Sequence, residues 1–295
     1  MALARAPLPS VLKAWAGLGY YARARHLHAA AKIIWHRHGG KIPSTKKELI
    51  SLPGFGSYTA GAVASLAFNE PVAALDGNVN RIFSRMLDYR DKASANRQKK
   101  LFERVAEDLI LPGRASDFNQ ALMDLGALIC LPVRPRCPSC PLKRFCGWRG
   151  INNQKIKQKG KKIRKEAWAV ALVEWEGRFL LHRKEGHGLL AGLWQFPTME
   201  VESGEDDVWV RDGMREQEEL KRMLQEKFGL RIKMKGLLPP KEHFFTHLHI
   251  KMKPFLYSFV KKIPGDYGLK NVRWVRPSSF TRYPISAAMH TIATL

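Results

Sequence analysis

Four cysteines are the residues of this chain whose types and spacing most directly indicate chemistry. They follow a C-x6-C-x2-C-x5-C pattern, and the 295-residue sequence has no other cysteine: they are Cys130, Cys137, Cys140 and Cys146. Thiols grouped in this way predict a metal or cluster site in a reducing compartment, since none is left elsewhere to staple a domain by a disulfide. Four thiolates also suit zinc, and the spacing alone does not exclude it.

A glycine-containing turn at residues 52–56 (LPGFG) precedes a predicted helix that begins at Ser57 or Tyr58. Gly54 and Gly56 allow positive φ and a close approach of another backbone. The N–H groups at the start of the following helix would then point at a phosphate. Taken alone, such a turn is more often plain punctuation between two helices, so its neighbours decide between the two interpretations.

The charge of the chain favours a polyanionic partner. The formal net charge is +24 and the pI is about 10.1. Residues 1–150 carry 23 Lys and Arg against 10 Asp and Glu, residues 151–165 carry 7 against none, and residues 166–295 carry 20 against 16. Clustered basic side chains release counterions from nucleic acid, which is the expected partner; a basic surface without a specific partner is the alternative. No signal-type segment or membrane-length apolar run occurs in the sequence.

The elements that must position these residues change in character along the chain. The first half predicts an all-α domain, with two helices over residues 11–36 separated by a glycine turn and further helices at about 44–51, 58–68, 78–88, 95–110 and 116–129. Residues 151–165 contain no acid and no aromatic residue and predict a basic linker. Strand-like runs at 167–173, 179–182 and 249–257, with one amphipathic helix at about 211–228, predict an α/β or α+β second half.

Asp76 lies within residues 74–81 (ALDGNVNR), sixteen residues after Ala60. Here the chain resembles the helix-hairpin-helix DNA glycosylase superfamily, whose members place an aspartate after the hairpin, beside the sugar of a flipped nucleotide. The structural alternative is that Asp76 only caps the helix that begins near Val79.

The residue before Thr59 decides which branch of this superfamily the chain resembles. Endonuclease III-type members have a lysine there that forms a Schiff base, whereas this chain has Tyr58, so strand cleavage by that route is not expected. Tyr58 and the sequence LDGNV at residues 75–79 are similar to the MutY-type adenine DNA glycosylases. This resemblance implies removal of adenine mispaired with 8-oxoguanine or guanine. Asp76 would stabilise the oxocarbenium ion, and Tyr58 and Asn78 would assist by hydrogen bonding.

Residues 17–25 (GLGYYARAR) match a second MutY-type motif, in which a tyrosine wedges into the duplex beside 8-oxoguanine. The resemblance implies that Tyr21 is the wedge, that Tyr20 is a packing residue, and that Arg23 and Arg25 hold phosphates. It also implies that Gly54 and Gly56 grip DNA, and that the four cysteines hold a four-iron, four-sulfur (4Fe-4S) cluster.

The C-terminal half resembles a Nudix domain from which the hydrolytic residues have been lost. Residues 222–230 (RMLQEKFGL) keep an arginine, one glutamate and the glycine of the Nudix core, whereas four positions depart from it: Val208, Met214, Met223 and Lys227. Magnesium needs the missing oxygen ligands, so hydrolysis is not expected. Phe245, Thr246 and His247 resemble the Phe-Ser-His loop that reads 8-oxoguanine in the family.

One departure concerns the residue that protonates the leaving adenine. MutY-type enzymes have a glutamate well upstream of the GLGYY motif, whereas no acidic residue precedes Glu48 here. Loss of such a general acid costs roughly a hundredfold or more in rate. We expect either a start codon assigned too far downstream or a degenerate paralogue. The chain as it stands is then expected to bind the lesion and to release adenine slowly, and a non-catalytic lesion-binding protein is the alternative.

The sequence therefore predicts two domains. An all-α helix-hairpin-helix glycosylase domain with an iron-sulfur loop occupies residues 1–150, and the basic linker occupies 151–165. An α/β or α+β Nudix-like domain for 8-oxoguanine recognition occupies 166–295. The resemblance implies a monomer that binds double-stranded DNA with adenine:8-oxoguanine or adenine:guanine mispairs, away from membranes, in the cytoplasm at a bacterial nucleoid.

Overall fold

The computed structural model describes residues 1–89, 95–148, 163–186, 188–201, 213–262 and 271–293. Contacts group the chain into two units. One is formed by Met1–Arg5 with His26–Gln158, and the other by Ala6–Arg25 with Lys159–Leu295. Residues 151–162 of the predicted linker lie outside the described part. No helix of the described residues is long and apolar enough to cross a membrane.

The first unit is helical wherever it has regular structure in its described residues. The helices are α1 (Ala2–Arg5), α3 (Tyr21–Arg37, which enters this unit at His26), α4 (Lys46–Ile50), α5 (Ser57–Phe68), α6 (Gly77–Met86), α7 (Ala95–Leu109) and α8 (Ala115–Asp124), which continues as a π-helix (Leu125–Ile129). Single 3-10 turns follow at Cys137–Ser139 and Lys143–Phe145. The predicted all-α character of this half is confirmed.

Two apolar clusters hold the first unit together. Leu49 of α4 and Leu52 pack with alanines of α3 and α5, and this cluster fixes the turn at residues 52–56. Phe83 of α6 and Phe102 of α7 form the centre of the second cluster, with ring centroids 5.8 Å apart. Complete burial of one such side chain contributes about 1.5–3 kcal/mol, so the second cluster anchors α6 firmly.

Among the residues that the structure describes, the second unit contains a mixed eight-stranded sheet and three α-helices that lie wholly within its ranges. The strands are β1 (Arg164–Trp175), β2 (Arg178–Arg183), β3 (Trp194–Gln195), β4 (Thr198–Val201), β5 (Leu230–Leu237), β6 (Lys241–Phe245), β7 (Leu248–Lys262) and β8 (Val272–Val275). The main strand order is β3-β2-β1-β7-β5, with β4 beside β1, β6 beside β7 and β8 beside β2. The helices are α2 (Leu8–Ala14), α9 (Met214–Phe228) and α10 (Ala287–Ala293).

Strand β1 is central and is buried from residue 166 to residue 173. Because strand side chains alternate between faces, Trp168 and Val170 join the cluster that includes α10, whereas Ala169 and Ala171 join the cluster under α9. The parallel pairing of β1 with β7 begins at Arg164, opposite Leu248. Residues 164 and 165, which the sequence predicted at the end of the linker, are therefore strand residues.

Residues 6–25 group with the C-terminal part of the chain, whereas the sequence predicted them in the N-terminal domain. Leu12 and Tyr21 are members of the same apolar cluster as Trp168, and burial of these side chains explains the grouping. No local pattern in residues 6–25 indicates which apolar surface they cover. The boundaries predicted at residues 150 and 166 stay predictions.

Candidate functional site

Asp76 is the N-cap of α6. Its Oδ1 accepts hydrogen bonds from the backbone N–H of Asn78 at 2.8 Å and of Val79 at 2.7 Å, and its Oδ2 accepts one from Asn78 Nδ2 at 3.0 Å. The capping role is therefore confirmed. This role leaves the carboxylate able to accept further hydrogen bonds, because each oxygen can accept two and Oδ2 accepts one from the described residues. The catalytic role of Asp76 stays a prediction that this geometry permits.

Asn78 is held in a fixed orientation between Asp76 and Arg81. Arg81 Nη1 donates to Asn78 Oδ1 at 2.9 Å, which leaves Asn78 Nδ2 facing the carboxylate. The same guanidinium donates to the carbonyls of Gly126 at 2.7 Å and of Cys130 at 2.8 Å. Because Arg81 can only donate, it fixes which end of the Asn78 amide faces Asp76. The network joins α6 to the start of the cysteine loop.

The turn at residues 52–56 leads into α5 as predicted, but its two glycines differ. Gly54 has a φ of +82°, and a Cβ there would lie 2.6 Å from the Cβ of His26, so only glycine fits. Gly56 has a φ of −82°, so it does not use the positive φ that a glycine allows. A Cβ on Gly56 would meet nothing within 4 Å. The space beside Gly56 is therefore open to an external partner.

The N-terminus of α5 is arranged as a site for an anion. Gly56 is the N-cap without a side-chain cap, and the first helical hydrogen bond is donated by Ala60 to Gly56 at 2.9 Å. The N–H groups of the three residues between them have no acceptor within the helix. Together with the helix dipole, these donors favour a phosphate at this end.

Tyr58 lies in the first turn of α5 and is 40% exposed. Among the described residues its phenol makes no hydrogen bond, whereas Asp76 and Asn78 are joined directly. The structure thus brings together two of the three residues predicted for catalysis and leaves Tyr58 outside their network. The predicted role of Tyr58 stays a prediction.

Arg85 connects α6 to the cysteine loop. Arg85 Nη1 donates to the Sγ of Cys130 at 3.1 Å and to the carbonyl of Leu131 at 2.8 Å, and Nη2 donates to the carbonyl of Pro132 at 3.0 Å. The guanidinium lies 4.9 Å from the ring centroid of Trp148. These hydrogen bonds hold the Cys130 side chain and the backbone that follows it, and the predicted role of Cys130 as a ligand stays a prediction.

The four thiols lie in one neighbourhood. Burial raises the pKa of the Cys146 thiol, and the other three cysteines raise that pKa further, because nearby thiolates disfavour another negative charge. In the part of the chain that the structure describes, no three His, Cys, Asp or Glu side chains are close enough together to hold a single metal ion. Four thiols in one neighbourhood are a donor set that suits a 4Fe-4S cluster as well as zinc, so the predicted cluster stays a prediction.

The two tyrosines of the GLGYY motif are placed in the reverse of the predicted order. Tyr21 is only 9% exposed, and burial raises the pKa of its phenol. It shares one face of α3 with the buried Ala24 and His28, at the i+3 and i+7 positions. Tyr20 precedes the helix, has a φ of +46° and is 56% exposed. A core side chain cannot enter a duplex without leaving the core, so this burial favours Tyr20 over Tyr21 as the wedge; the role of either tyrosine stays a prediction.

Tyr20 contacts the predicted recognition loop within the second unit. Strand β6 ends at Phe245 and β7 begins at Leu248, so Thr246 and His247 form the two-residue tip of a hairpin. The hydroxyls of Tyr20 and Thr246 are hydrogen-bonded to each other. Phe245 is half-buried, whereas the two residues at the tip are exposed. Two motifs that are 226 residues apart in sequence therefore meet at one place.

The two arginines of the GLGYYARAR motif have different surroundings. Arg25 Nη1 donates to the carbonyl of Ala191 at 2.8 Å and Nη2 to that of Gly188 at 3.4 Å, so this side chain holds a loop of its own unit. Arg23 is exposed. Of the two arginines predicted to contact phosphates, Arg23 is therefore free to reach one, whereas Arg25 is hydrogen-bonded within the protein.

Helix α9 occupies the position of the predicted Nudix core. Gly229 ends α9 with a φ of +61°, as the C-cap of the helix. Met223 packs against the apolar cluster under α9, and Lys227 is exposed. Val208, another of the four predicted departures from the Nudix sequence, lies outside the described residues. A thioether in an apolar cluster offers no oxygen to magnesium.

Two family descriptions match the chain. Residues 1–108 match the HhH-GPD superfamily base excision DNA repair protein, and residues 169–295 match the NUDIX domain. The helical first unit and the mixed sheet of the second unit agree with these matches. The class defined by fold and site is a helix-hairpin-helix base-excision repair protein with a Nudix-like C-terminal domain.

Relatives named adenine DNA glycosylase are similar to this chain over most of its length. That of Homo sapiens is 30% identical over 98% of this chain and 61% of the relative, and that of Arabidopsis thaliana is 34% identical over 85% and 42%. That of Buchnera aphidicola subsp. Baizongia pistaciae is 32% identical over 88% of this chain and 70% of the relative. The chain belongs to the adenine DNA glycosylase family. It spans about three fifths of the length of its human relative.

Proposed function

We propose that this chain is a monofunctional DNA glycosylase that removes adenine mispaired with 8-oxoguanine or guanine in double-stranded DNA. Its membership of the adenine DNA glycosylase family supports the reaction class. The single observation that carries the proposal is the setting of Asp76. Oδ1 of Asp76 accepts both hydrogen bonds of the helix cap, whereas Oδ2 accepts only the one from Asn78 Nδ2 among the described residues.

The reaction proposed at Asp76 is cleavage of the glycosidic bond of adenine. The bonding electron pair leaves with the base, and the sugar becomes an oxocarbenium cation. The Asp76 carboxylate stabilises this cation by its charge, or by a transient ester bond to the sugar as in retaining glycosidases. Water then adds to the sugar, loses a proton and leaves an abasic site.

The neighbours of Asp76 have supporting roles in this proposal. Asn78 Nδ2 holds Oδ2 of the carboxylate, and Arg81 prevents the amide from turning over. The exposed phenol of Tyr58 can donate a hydrogen bond to a nucleotide that enters the site. Because residue 58 is not a lysine, no Schiff base forms there, and the DNA strand stays intact.

Recognition of the lesion is proposed for the hairpin tip and Tyr20. 8-Oxoguanine carries an N–H at the ring position where guanine has only an acceptor, and the Thr246 hydroxyl can accept from that N–H. Tyr20, and not Tyr21, is the exposed ring that can wedge into the duplex, with Phe245 and His247 beside Thr246 at the tip. Grip on the backbone falls to the turn at Gly54 and Gly56 and to the basic surface.

The cysteine loop is proposed to hold the 4Fe-4S cluster. Cys130, Cys137, Cys140 and Cys146 would be its ligands, and Arg85 would donate to the sulfur of the first. When bound, the cluster supplies a rigid centre around which a loop with little regular structure is ordered.

Release of adenine under single-turnover conditions tests the proposed function. With excess protein and an adenine:8-oxoguanine duplex, we expect release of adenine at a rate that depends on Asp76. Asp76→Asn should slow this release by roughly a hundredfold. Asparagine is as good an N-cap as aspartate, so helix α6 should survive the substitution.

Asp117→Asn is a matched control for this experiment. Asp117 is an exposed acid near the start of a helix in the same unit and forms an ion pair with Arg114 at 2.7 Å. Its substitution should leave the rate of release unchanged. Tight binding of the duplex without any release that depends on Asp76 would contradict the glycosylase and establish the alternative, a non-catalytic lesion-binding protein.

A further inference from the structure

The segment that leads to Asp76 has no regular secondary structure, and its middle is buried. Residues 72–75 belong to neither a helix nor a strand, yet Ala73 and Ala74 are buried. Buried backbone N–H and C=O groups need hydrogen-bond partners, and the described residues of this helical unit supply no neighbouring strand. The position of Asp76 therefore depends on whatever satisfies this short stretch of backbone.

Asn119 of α8 supplies those partners with its side chain. Its Oδ1 accepts from the backbone N–H of Ala74 at 2.9 Å, and its Nδ2 donates to the backbone carbonyl of Val72 at 3.0 Å. A parallel strand would offer the same pair of groups to residues two apart, so the carboxamide replaces a strand residue. Nδ2 also donates to the carbonyl of Ala115 at 3.0 Å, which fixes the rotamer. Asn119 is 1% exposed, so water does not compete.

Helix α5 meets the same segment through Gly61. A Cβ on Gly61 would lie 2.5 Å from the carbonyl oxygen of Ala73 and 3.4 Å from the Cα of Ala74. Only glycine at this position lets the segment lie directly against the helix. The segment is thus fixed by a close contact with α5 and by two hydrogen bonds from α8.

We propose that Asn119 and Gly61 are positioning residues for Asp76. The inference rests on the proposed function, in which the Asp76 carboxylate must stand beside the cationic sugar. Only Leu75 separates Ala74 from Asp76, so a shift of the anchored backbone is transmitted to the carboxylate. Loss of the Asn119 amide leaves two buried backbone groups unsatisfied, and the segment relaxes away from its place.

A displaced Asp76 should weaken the stabilisation of a positive charge, and two DNA probes that differ in charge can measure this effect separately. Both duplexes carry 8-oxoguanine opposite a nucleotide without a base. In the first that nucleotide is a cationic pyrrolidine, and in the second it is a neutral tetrahydrofuran. The ratio of the two affinities measures how well the carboxylate faces a cation, because everything else in the duplexes is matched. In the wild-type chain the cationic probe should bind more tightly, and Asp76→Asn should abolish the preference.

Asn119→Ala should reduce the preference for the cationic probe by about ten- to a hundredfold, the range expected for a displacement of about 1 Å. Its affinity for the tetrahydrofuran duplex should stay within about twofold of wild type, because phosphate contacts dominate that affinity. Gly61→Ala is the second variant. Alanine favours the helix, so this variant should fold, while its methyl group displaces Ala73 and lowers the same preference.

Asn69→Gly is the matched control. The Asn69 side chain also joins two backbone groups, the carbonyl of Gly113 and the N–H of Ser116, but it does not touch residues 72–76. Its φ of +57° suits glycine, so the substitution removes the hydrogen bonds without backbone strain. The preference for the cationic probe should be unchanged in this variant.

Hydrogen exchange of the Asn78 and Val79 amides gives a second readout that needs no DNA. Both amides donate to Asp76 Oδ1, so Asn119→Ala and Gly61→Ala should speed their exchange relative to amides of α7, and Asn69→Gly should not. Unchanged exchange and an unchanged preference in both variants would overturn the positioning role. A wild-type chain that does not prefer the cationic probe would instead refute the proposed function, and the exchange rates would still decide whether Asn119 positions Asp76.

Discussion

Tyr20 and Thr246 share one hydrogen bond, and that bond constrains how each can act on DNA. A non-glycine residue with positive φ is disfavoured, and Tyr20 at +46° is held there while its hydroxyl meets that of Thr246. In the proposed function, insertion of the ring into a duplex would part the phenol from Thr246 and free the threonine hydroxyl to accept from an oxidised base. Wedge insertion and lesion reading would then be coupled through one pair of hydroxyl groups.

Substitutions at Tyr20 separate the ring from the hydroxyl. Tyr20→Ala should weaken binding of an adenine:8-oxoguanine duplex by about tenfold, because stacking of a base on an aromatic ring contributes about 1–3 kcal/mol. Tyr20→Phe retains the ring and releases Thr246, so its affinity should stay within about threefold of wild type. Tyr21→Phe is the control and should leave affinity unchanged. Equal losses in Tyr20→Phe and Tyr20→Ala, measured by fluorescence anisotropy, would locate the effect in the hydroxyl and contradict the wedge.

Tyr20 and Tyr21 show which features of the motif can be read from the sequence and which cannot. The residue types of the motif were evident, but which tyrosine is buried depends on where α3 begins. Helix boundaries are uncertain by a residue or two from sequence, and a shift of one residue rotates a side chain by about 100° around the helix. The buried positions Ala24 and His28, spaced at i+3 and i+7 from Tyr21, were the available signal.

At the scale of elements, one face of α6 joins the proposed catalytic centre to the cysteine loop. Asn78, Arg81 and Arg85 recur at i, i+3 and i+7 and therefore lie on the same side of the helix. The first contacts Asp76, the second donates to the Cys130 carbonyl and the third donates to the Cys130 sulfur. The helix cap at Asp76 and the loop at Cys130 are thus fixed by one rigid element.

The metal content of the cysteine loop tests the proposed cluster. Anaerobically purified protein should be brown and contain about four irons per chain. Cys137→Ser should abolish the visible absorbance, because it removes one thiolate ligand, whereas Ser139→Ala in the same loop should retain both colour and iron. A colourless protein with stoichiometric zinc would reject the cluster. The measurements are the absorption spectrum and elemental analysis.

Elements with a strong local signal were predictable, whereas the strands β3, β4, β5, β6 and β8 and helix α10 were not predicted. The runs at 167–173 and 249–257 lie within β1 and β7, and the amphipathic segment near 211–228 contains α9. Contacts between elements that are distant in sequence have no such local signal. Nothing near Asn119 indicates that its side chain replaces a strand beside residues 72–74, and nothing near Thr246 indicates Tyr20. Asp76 could be proposed from its motif, whereas the residues that hold it required the fold.

At the scale of the whole molecule, most of the positive charge and the proposed lesion-reading residue lie in different parts of the chain. Residues 1–150 carry a formal charge of +13, whereas residues 166–295 carry +4. The proposed reading residue Thr246 lies in the less charged part, and the turn at Gly54 lies in the more charged part. Because phosphate contacts supply affinity without sequence information, general binding and discrimination can be altered separately.

Four exposed basic residues of the cysteine loop allow that separation to be measured; they are Arg134, Arg136, Lys143 and Arg144. Their joint replacement by glutamine should weaken binding of 8-oxoguanine and guanine duplexes equally. It should also reduce the slope of log affinity against log salt by about 0.9 for each phosphate that the protein no longer neutralises. Thr246→Ala should narrow the ratio of the two affinities and leave the slope unchanged. A quadruple variant that narrows the ratio, or a Thr246→Ala chain with a lower slope, would contradict this division of roles.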